Sequence, residues 1–194
     1  MTAAYRILHT GYVGDETPAG MHVGSTVTYA ESGSTRVIVD PGLVAGTHLI
    51  LDPLRELGVS AEGITDVVFS HQHIDHTLNA ALFPNARFHD FAAIYQGDLW
   101  WDGDAEGRVL ADGIRLLRTP GHTAEDISTV IDGPDGIVIC THAWWFEGGP
   151  DEDPYAPDAE VLAAARARIV GLAPTLVIPG HGPAFSPGSV RPPA

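Results

Sequence analysis

Between Ser70 and His76 the chain reads Ser-His-Gln-His-Ile-Asp-His, which puts four good metal-binding side chains within six residues, directly after the apolar segment 66–69. Imidazole suits zinc, nickel, copper and iron, and carboxylate suits harder cations, so a mixed set at one strand end can hold two ions close together. A polar turn has no need of so many ligand types. The fold must therefore be one in which a strand stops at a metal site.

Alternating or continuous β-branched runs predict strands over residues 25–29, 36–39, 66–69, 128–131, 137–139 and 176–178. Helical spacing appears over residues 49–57, 76–82 and 158–172, the last with an apolar stripe of Val161, Leu162, Ala165 and Ile169 and with Pro157 where a helix would begin. The segments 97–107 and 144–155 read as long, aromatic, acidic loops, the kind of place where a rigid scaffold displays binding residues. Within the second, Asp151-Glu152-Asp153 reads as a solvated patch, and residues 1–4 and 186–194 read as frayed tails.

Three further histidines also follow predicted strands. His122 lies in Thr119-Pro120-Gly121-His122-Thr123 after residues 116–119, His142 follows residues 137–140, and His181 lies in Pro179-Gly180-His181-Gly182 after residues 176–178. Gly121 and Gly180 let the backbone turn and bring an imidazole in without a Cβ clash. The candidate metal ligands are thus His71, His73, Asp75, His76, His122, His142 and His181. His9, His22, His48 and His89 lack this context and are assigned to surface or packing roles.

A length of 194 residues with 44% hydrophobic content suits one domain over residues 1–194 with a full core. No apolar run reaches membrane-spanning length and the N-terminus lacks a basic region followed by an apolar one, so no membrane partner and a cytoplasmic location are expected. The single cysteine, Cys140, allows no internal disulfide and is assigned to core packing. Acidic residues outnumber basic ones 25 to 10, for a formal charge of −15, which makes nucleic acid an unlikely partner and favours a small-molecule substrate. A homodimer is left open.

The run His71 to His76, together with His122, His181 and the early turn Asp40-Pro41-Gly42, resembles the metallo-β-lactamase superfamily, and the resemblance extends over residues 25–182. Leu82-Phe83-Pro84, His89-Asp90-Phe91 and Ile178-Pro179-Gly180-His181-Gly182-Pro183 look like the group around metallo-β-lactamase domain-containing protein 1. The resemblance implies an α/β fold, a four-layer αββα sandwich with a dinuclear site along one edge, holding zinc (one or two ions) with iron or manganese as alternatives. It also implies that His71, His73 and His122 hold the first metal, that Asp75, His76 and His181 hold the second, and that Asp40 supports the loop without being a ligand.

One position departs from the pattern. Hydrolase branches of this superfamily carry a bridging aspartate where this chain reads Thr141-His142. A carboxylate binds one cation with each oxygen, whereas a neutral imidazole has one free lone pair and no charge, so His142 is expected to ligate one metal only. A dinuclear site bridged by hydroxide alone, a weak second metal and a mononuclear site all follow as alternatives.

The expected activity is a metal-dependent hydrolase that uses a metal-bound hydroxide on a small carbonyl substrate such as a thioester, lactone or ester, with Asp75 orienting the hydroxide and accepting a proton. Trp100, Trp101, Trp144, Trp145 and Tyr155 are candidates for an apolar wall over the metals, with part of the set going to the core. The rival readings are a phosphodiesterase or nuclease-type hydrolase, a mono-iron persulfide-type dioxygenase, which would lack its usual carboxylate at position 142, and a non-enzymatic metal-binding role.

Overall fold

The computed structural model describes residues 2–189. Its first half runs β1 (Ala4–His9), the short hairpin β2 (Tyr12–Val13) and β3 (Val23–Gly24), β4 (Val27–Ser32), β5 (Thr35–Val39), α1 (His48–Glu56), β6 (Asp66–Val68), α2 (Ile74–Thr77), β7 (Arg87–His89), β8 (Ala93–Gln96) and β9 (Leu99–Asp102). The second half runs β10 (Val109–Ala111), β11 (Ile114–Arg118), β12 (Ile127–Gly133), β13 (Gly136–Thr141), α3 (Ala159–Gly171) and β14 (Leu176–Pro179). One sheet has the order β1-β4-β5-β6-β7-β8-β9 and the other β10-β11-β12-β13-β14, with parallel pairing at β5–β6–β7 and at β13–β14.

Residue alternation along the strands builds the layers. Val37 and Val39 of β5 join Val68, Leu116, Ile131, Val138 and Cys140 in a core between the two sheets, while Ile38, between the two valines, packs on Ile50 and Leu54 of α1. On the second sheet Val130, Ile139 and Val177 point the other way, onto Leu162 and Ile169 of α3. The result is the α-β-β-α order implied by the resemblance. Central strands buried on both faces read in sequence as unbroken apolar runs, which is why β5, β6, β12, β13 and β14 were legible. No helix among the described residues is long and apolar enough to cross a membrane.

Several expectations need correction. The segment 97–107 is not a loop throughout, because β9 lies within it and pairs with β8 at the edge of the first sheet. The helix expected over residues 76–82 is one α turn followed by a 3-10 turn at Ala80–Leu82, since the Asn79 amide leaves the helix to donate to the Pro41 carbonyl at 2.8 Å. Val161 is 39% exposed, so the buried stripe of α3 is Leu162, Ala165 and Ile169. Asp158 caps that helix, accepting from Glu160 N at 2.8 Å.

The expected N-terminal tail is ordered from within, with Ala3 buried, its amide bonded to Asp132 O, and β1 starting at the next residue. At the other end Pro187–Ser189 forms a 3-10 turn, and the rest of that expected tail lies outside the described residues. Cys140 is packed in the core as expected, where burial pushes its thiol up to about 12.

His89 has a structural role. Its Nε2 lies 2.8 Å from Asp66 Oδ1, which also takes a 2.8 Å ion pair from Arg87, while Thr65 Oγ1 donates to Asp66 Oδ2 at 2.7 Å. Burial alone would raise the Asp66 pKa, but the bonds from His89 and Thr65 and the charges of His89 and Arg87 outweigh it and leave it lowered. These contacts tie β6 to β7 immediately before the Ser70–His76 turn. Asp66→Ala is expected to destabilise the protein by about 3 kcal/mol in urea unfolding at neutral pH, because it strands a buried imidazole. A folded-state pKa below the unfolded value gives stability that is present above the unfolded pKa and lost as pH falls through the folded one. The variant's deficit should therefore shrink in acid.

Candidate metal centre

The C-terminal ends of β6, β11, β13 and β14 meet at one edge of the sandwich, and the turns after them carry all seven candidate ligands. Backbone bonds lock the two sheets together there, from Thr26 N to Gly180 O at 2.7 Å and from Ile127 N to Ser70 O at 2.8 Å. Three groups of donors result: His71, His73 and His122; Asp75, His76 and His181; and a third in which His142 shares His71 and His76. Of the four histidines assigned elsewhere, none joins a metal-binding group among the described residues.

The loop that starts this site is held by Asp40. Its backbone sits at φ 54°, a left-handed conformation that few residues other than glycine adopt. Its side chain accepts from Ser70 N at 2.7 Å through Oδ1, and Oδ2 lies 2.9 Å from His76 Nδ1. Asp40 thus supports the ligand loop without entering a donor group. Gly42 is required beside it, because a Cβ there would overlap the Asp75 carbonyl.

Outer partners fix which nitrogen of each ring faces inward. His76 Nδ1 donates to the Asp40 carboxylate, His181 Nδ1 to Gly24 O at 3.0 Å, and His122 Nδ1 to Asp153 Oδ2 at 2.8 Å. Each acceptor forces the proton onto Nδ1, so in the neutral ring Nε2 presents a lone pair to the centre. His76 Nε2 and His181 Nε2 then face one another at 3.4 Å, with Asp75 Oδ2 at 3.5 and 3.6 Å from them. His122 Nε2 lies 3.1 Å from His73 Nδ1, and His71 Nε2 is buried without a partner.

Donors about 2.0–2.1 Å from a tetrahedral ion stand about 3.3–3.4 Å apart. The second triad meets that spacing closely, and two converging imidazole nitrogens with a carboxylate oxygen suit a cation. The residues present fit a metal. Burial, followed by the charge of His76, holds His71 and His142 well below the ordinary imidazole range. Burial also lowers His122 and His181; burial opposes the charged form of His76 as well, but the charge and bond of Asp40 together with the charges of Asp75 and Asp126 outweigh it and His76 rises. Four of the rings are therefore kept in the neutral form that metal binding needs.

His142 is wedged among these rings, its centroid 4.2 Å from that of His122, 4.6 Å from His71 and 4.7 Å from His76. Its Nε2 lies 3.0 Å from His181 Nε2, and its Nδ1 is buried with no partner. Since His181 Nε2 is an acceptor, His142 Nε2 donates to it, and His142 shares the lone pair that the second triad points inward. Gly180 makes room for this ring by close approach and not by a left-handed backbone, and Gly121 likewise accommodates Leu162 of α3.

Above the donors opens a cleft of about 300 Å³ with apolar walls of Val13, Met21, Val23, Leu43, Trp145 and Tyr155. Of the five aromatic residues considered for this wall, only Trp145 and Tyr155 line it. Trp144 is core, packed with Phe185, while Trp100 and Trp101 lie on the edge strand β9. The expectation that Asp151-Glu152-Asp153 is solvated holds for the first two residues and fails for Asp153, whose side chain is 1% exposed. Sequence reading missed the wall residues of the β2–β3 hairpin, whose strands are too short to show a period. For Asp153 the only signal was an acidic residue in an aromatic loop following a ligand-bearing strand.

The sequence family described as the Metallo-beta-lactamase superfamily matches residues 21–137, more than half of the chain. The chain belongs to this superfamily. Its members are generally metal-dependent hydrolases. Metallo-beta-lactamase domain-containing protein 1 of Xenopus laevis is 30% identical over 92% of this chain and 79% of its own length, and that of Homo sapiens is 33% identical over 88% and 66%. The chain thus spans just under two thirds of the human relative.

Among solved structures, a Thermotoga maritima protein described as a metallo-beta-lactamase superposes with a TM-score of 0.72 at 23% identity, covering 96% of this chain and all of that one. A quorum-quenching N-acyl homoserine lactone lactonase gives 0.63 at 18% identity, covering 94% and 93%. TTHA1623, solved in a di-iron-bound form, gives 0.65 at 22% identity, covering 89% and 92%. These structures share the superfamily fold.

The tight seat of His142 against Gly180 yields a test. A Cβ at position 180 would overlap the His142 ring, so Gly180→Ala is expected to displace that imidazole and lower stability by about 1–3 kcal/mol. Thermal unfolding of the metal-free protein measures the loss, and imidazole NMR should show the His142 resonances shifted more than those of His89.

Proposed function

We propose that this chain is a metal-dependent hydrolase of small, uncharged carbonyl compounds, namely thioesters, lactones or esters, that carry an apolar substituent. The observation that carries the reading is the cleft, whose floor is the converging donors, whose walls are apolar and whose lining includes no arginine. Its size suits a small molecule. His71, His73 and His122 would hold one ion, and Asp75, His76 and His181 another. The all-imidazole set suits zinc, and the set containing a carboxylate suits zinc, iron or manganese. When bound, such ions polarise a carbonyl oxygen and lower the pKa of water toward neutrality.

The protein's own groups supply the rest. Asp75 is the one carboxylate among the seven donors and reaches the cleft with its side chain 21% exposed, so it is placed to orient an attacking water and take its proton. Trp145 and Tyr155 stack with centroids 6.0 Å apart and screen the donors from solvent on one side. The apolar walls favour a hydrocarbon portion of the substrate beside its carbonyl. The lactonase among the fold neighbours gives a precedent for the lactone member of this class.

Charge weighs against a phosphodiester substrate. All ten basic residues are arginines. Among those described, Arg87, Arg115, Arg118 and Arg168 face carboxylates, and Arg108 and Arg166 donate to backbone carbonyls. None stands over the donors to receive a phosphate, and the net charge of −15 repels a polyanion.

Two measurements test the reading. Zinc-loaded protein is expected to cleave members of a thioester, lactone and ester panel and to leave oligonucleotides intact, with His71→Ala and His73→Ala each losing about 100-fold or more in rate. Full activity in either variant would sink it. Because His142 brings no charge and shares the His181 lone pair, the second zinc is expected to bind more weakly than the first. His142→Asp should tighten the second equivalent in a zinc titration against a competing chelator. Unchanged affinity in that variant would remove His142 from the ligand set.

A further inference from the structure

We propose that Asp153 is a positioning residue that fixes His122 for metal binding and, through the same carboxylate, fastens the strap of residues 144–155 over the cleft. The inference rests on the reading that the first triad takes a metal. Asp153 Oδ2 lies 2.8 Å from His122 Nδ1 and 2.9 Å from Trp145 Nε1, and Oδ1 accepts from Tyr155 N at 2.9 Å. Trp145 Nε1 also lies 3.3 Å from His122 Nδ1, but both are donors and Oδ2 satisfies both. One buried carboxylate thus holds a donor ring and both aromatic wall residues.

The strap has other attachments, among them backbone bonds from Gly180 N to Trp144 O at 3.1 Å and from His181 N to Trp145 O at 2.7 Å, but none of these bonds holds a ring nitrogen of a donor. Arg166 of α3 donates from Nε to Ala143 O at 2.8 Å and from Nη2 to Pro150 O at 3.0 Å, and Phe146 bridges to Gly149. Asp153 is different because its partner His122 also faces His73. An outer carboxylate fixes the tautomer of a ligating imidazole and raises its basicity. A cation on Nε2 makes Nδ1–H more acidic and strengthens its bond to Oδ2, so metal uptake and closure of the strap favour each other, and the coupling is reciprocal.

The test uses metal-free full-length protein in a Trp100→Phe/Trp101→Phe background, which leaves buried Trp144 and the strap residue Trp145 as emitters. Zinc is titrated against a competing chelator while acrylamide quenching of tryptophan emission is followed. Zinc is expected to reduce quenching in the parent. Asp153→Ala should weaken the first equivalent about 10–100-fold and abolish the zinc-dependent change in quenching, with the second equivalent unaffected. Asp153→Asn, which keeps the shape and an acceptor but loses the charge, should fall between.

Parental affinity for the first equivalent in Asp153→Ala would overturn the proposal, as would loss of both equivalents together in both variants, which marks a merely structural role. A parent that takes up no zinc would sink the metal reading and this inference with it. A parent that binds zinc without regard to Asp153 would sink this inference alone.

Discussion

The site depends on one electrostatic constraint: imidazole nitrogens are packed facing one another in a buried space. His76 Nε2 stands 3.4 Å from His181 Nε2, with the Asp75 carboxylate beside both, and His122 Nε2 stands 3.1 Å from His73 Nδ1. Such an arrangement persists only where each ring is held from behind. Asp40, Gly24 O and Asp153 do this, each accepting the Nδ1 proton of one histidine. Three unrelated parts of the chain, the turn after β5, the end of the β2–β3 hairpin and the strap after β13, are needed for three rings.

The scaffold answers that need by bringing strand ends to one edge. Two sheets packed through Val37, Val39, Leu116, Val138 and Cys140 stay in register with each other, and their edge is bonded across at Thr26 to Gly180 and at Ser70 to Ile127. A donor triad drawn from both sheets then keeps its spacing once the turns that carry it are pinned. The strain at Asp40 is part of the same design, since its left-handed backbone is what places both carboxylate oxygens on the ligand loop.

His142 alters the balance of this centre. A carboxylate there would bring negative charge between two cation positions, whereas the imidazole brings none and leaves its own Nδ1 without a partner. It also leans on His181, a member of one triad only. The two triads are thereby made unequal by a single side chain. Asp75 is left as the one anionic donor on the floor of an otherwise apolar cleft.

The sequence by itself marked the seven candidate donors and the strands that carry them, because ligand chemistry is local and because doubly buried strands write their apolar pattern into consecutive residues. It marked the span of α3 in the same local way, from its apolar spacing and from Pro157 just before it. It did not determine β9, which is exposed along its length and lacks a buried face to mark it, nor the hairpin β2–β3, which is too short to show a period. Nor did it reveal that Asp153 leaves an acidic surface run to bury its carboxylate against His122, or that Trp145 lines the cleft while its neighbour Trp144 fills the core. Tertiary structure decided these, because a side chain's role there depends on which distant group it meets, and adjacent residues in an irregular strap follow no fixed alternation that would say which of them turns toward the site.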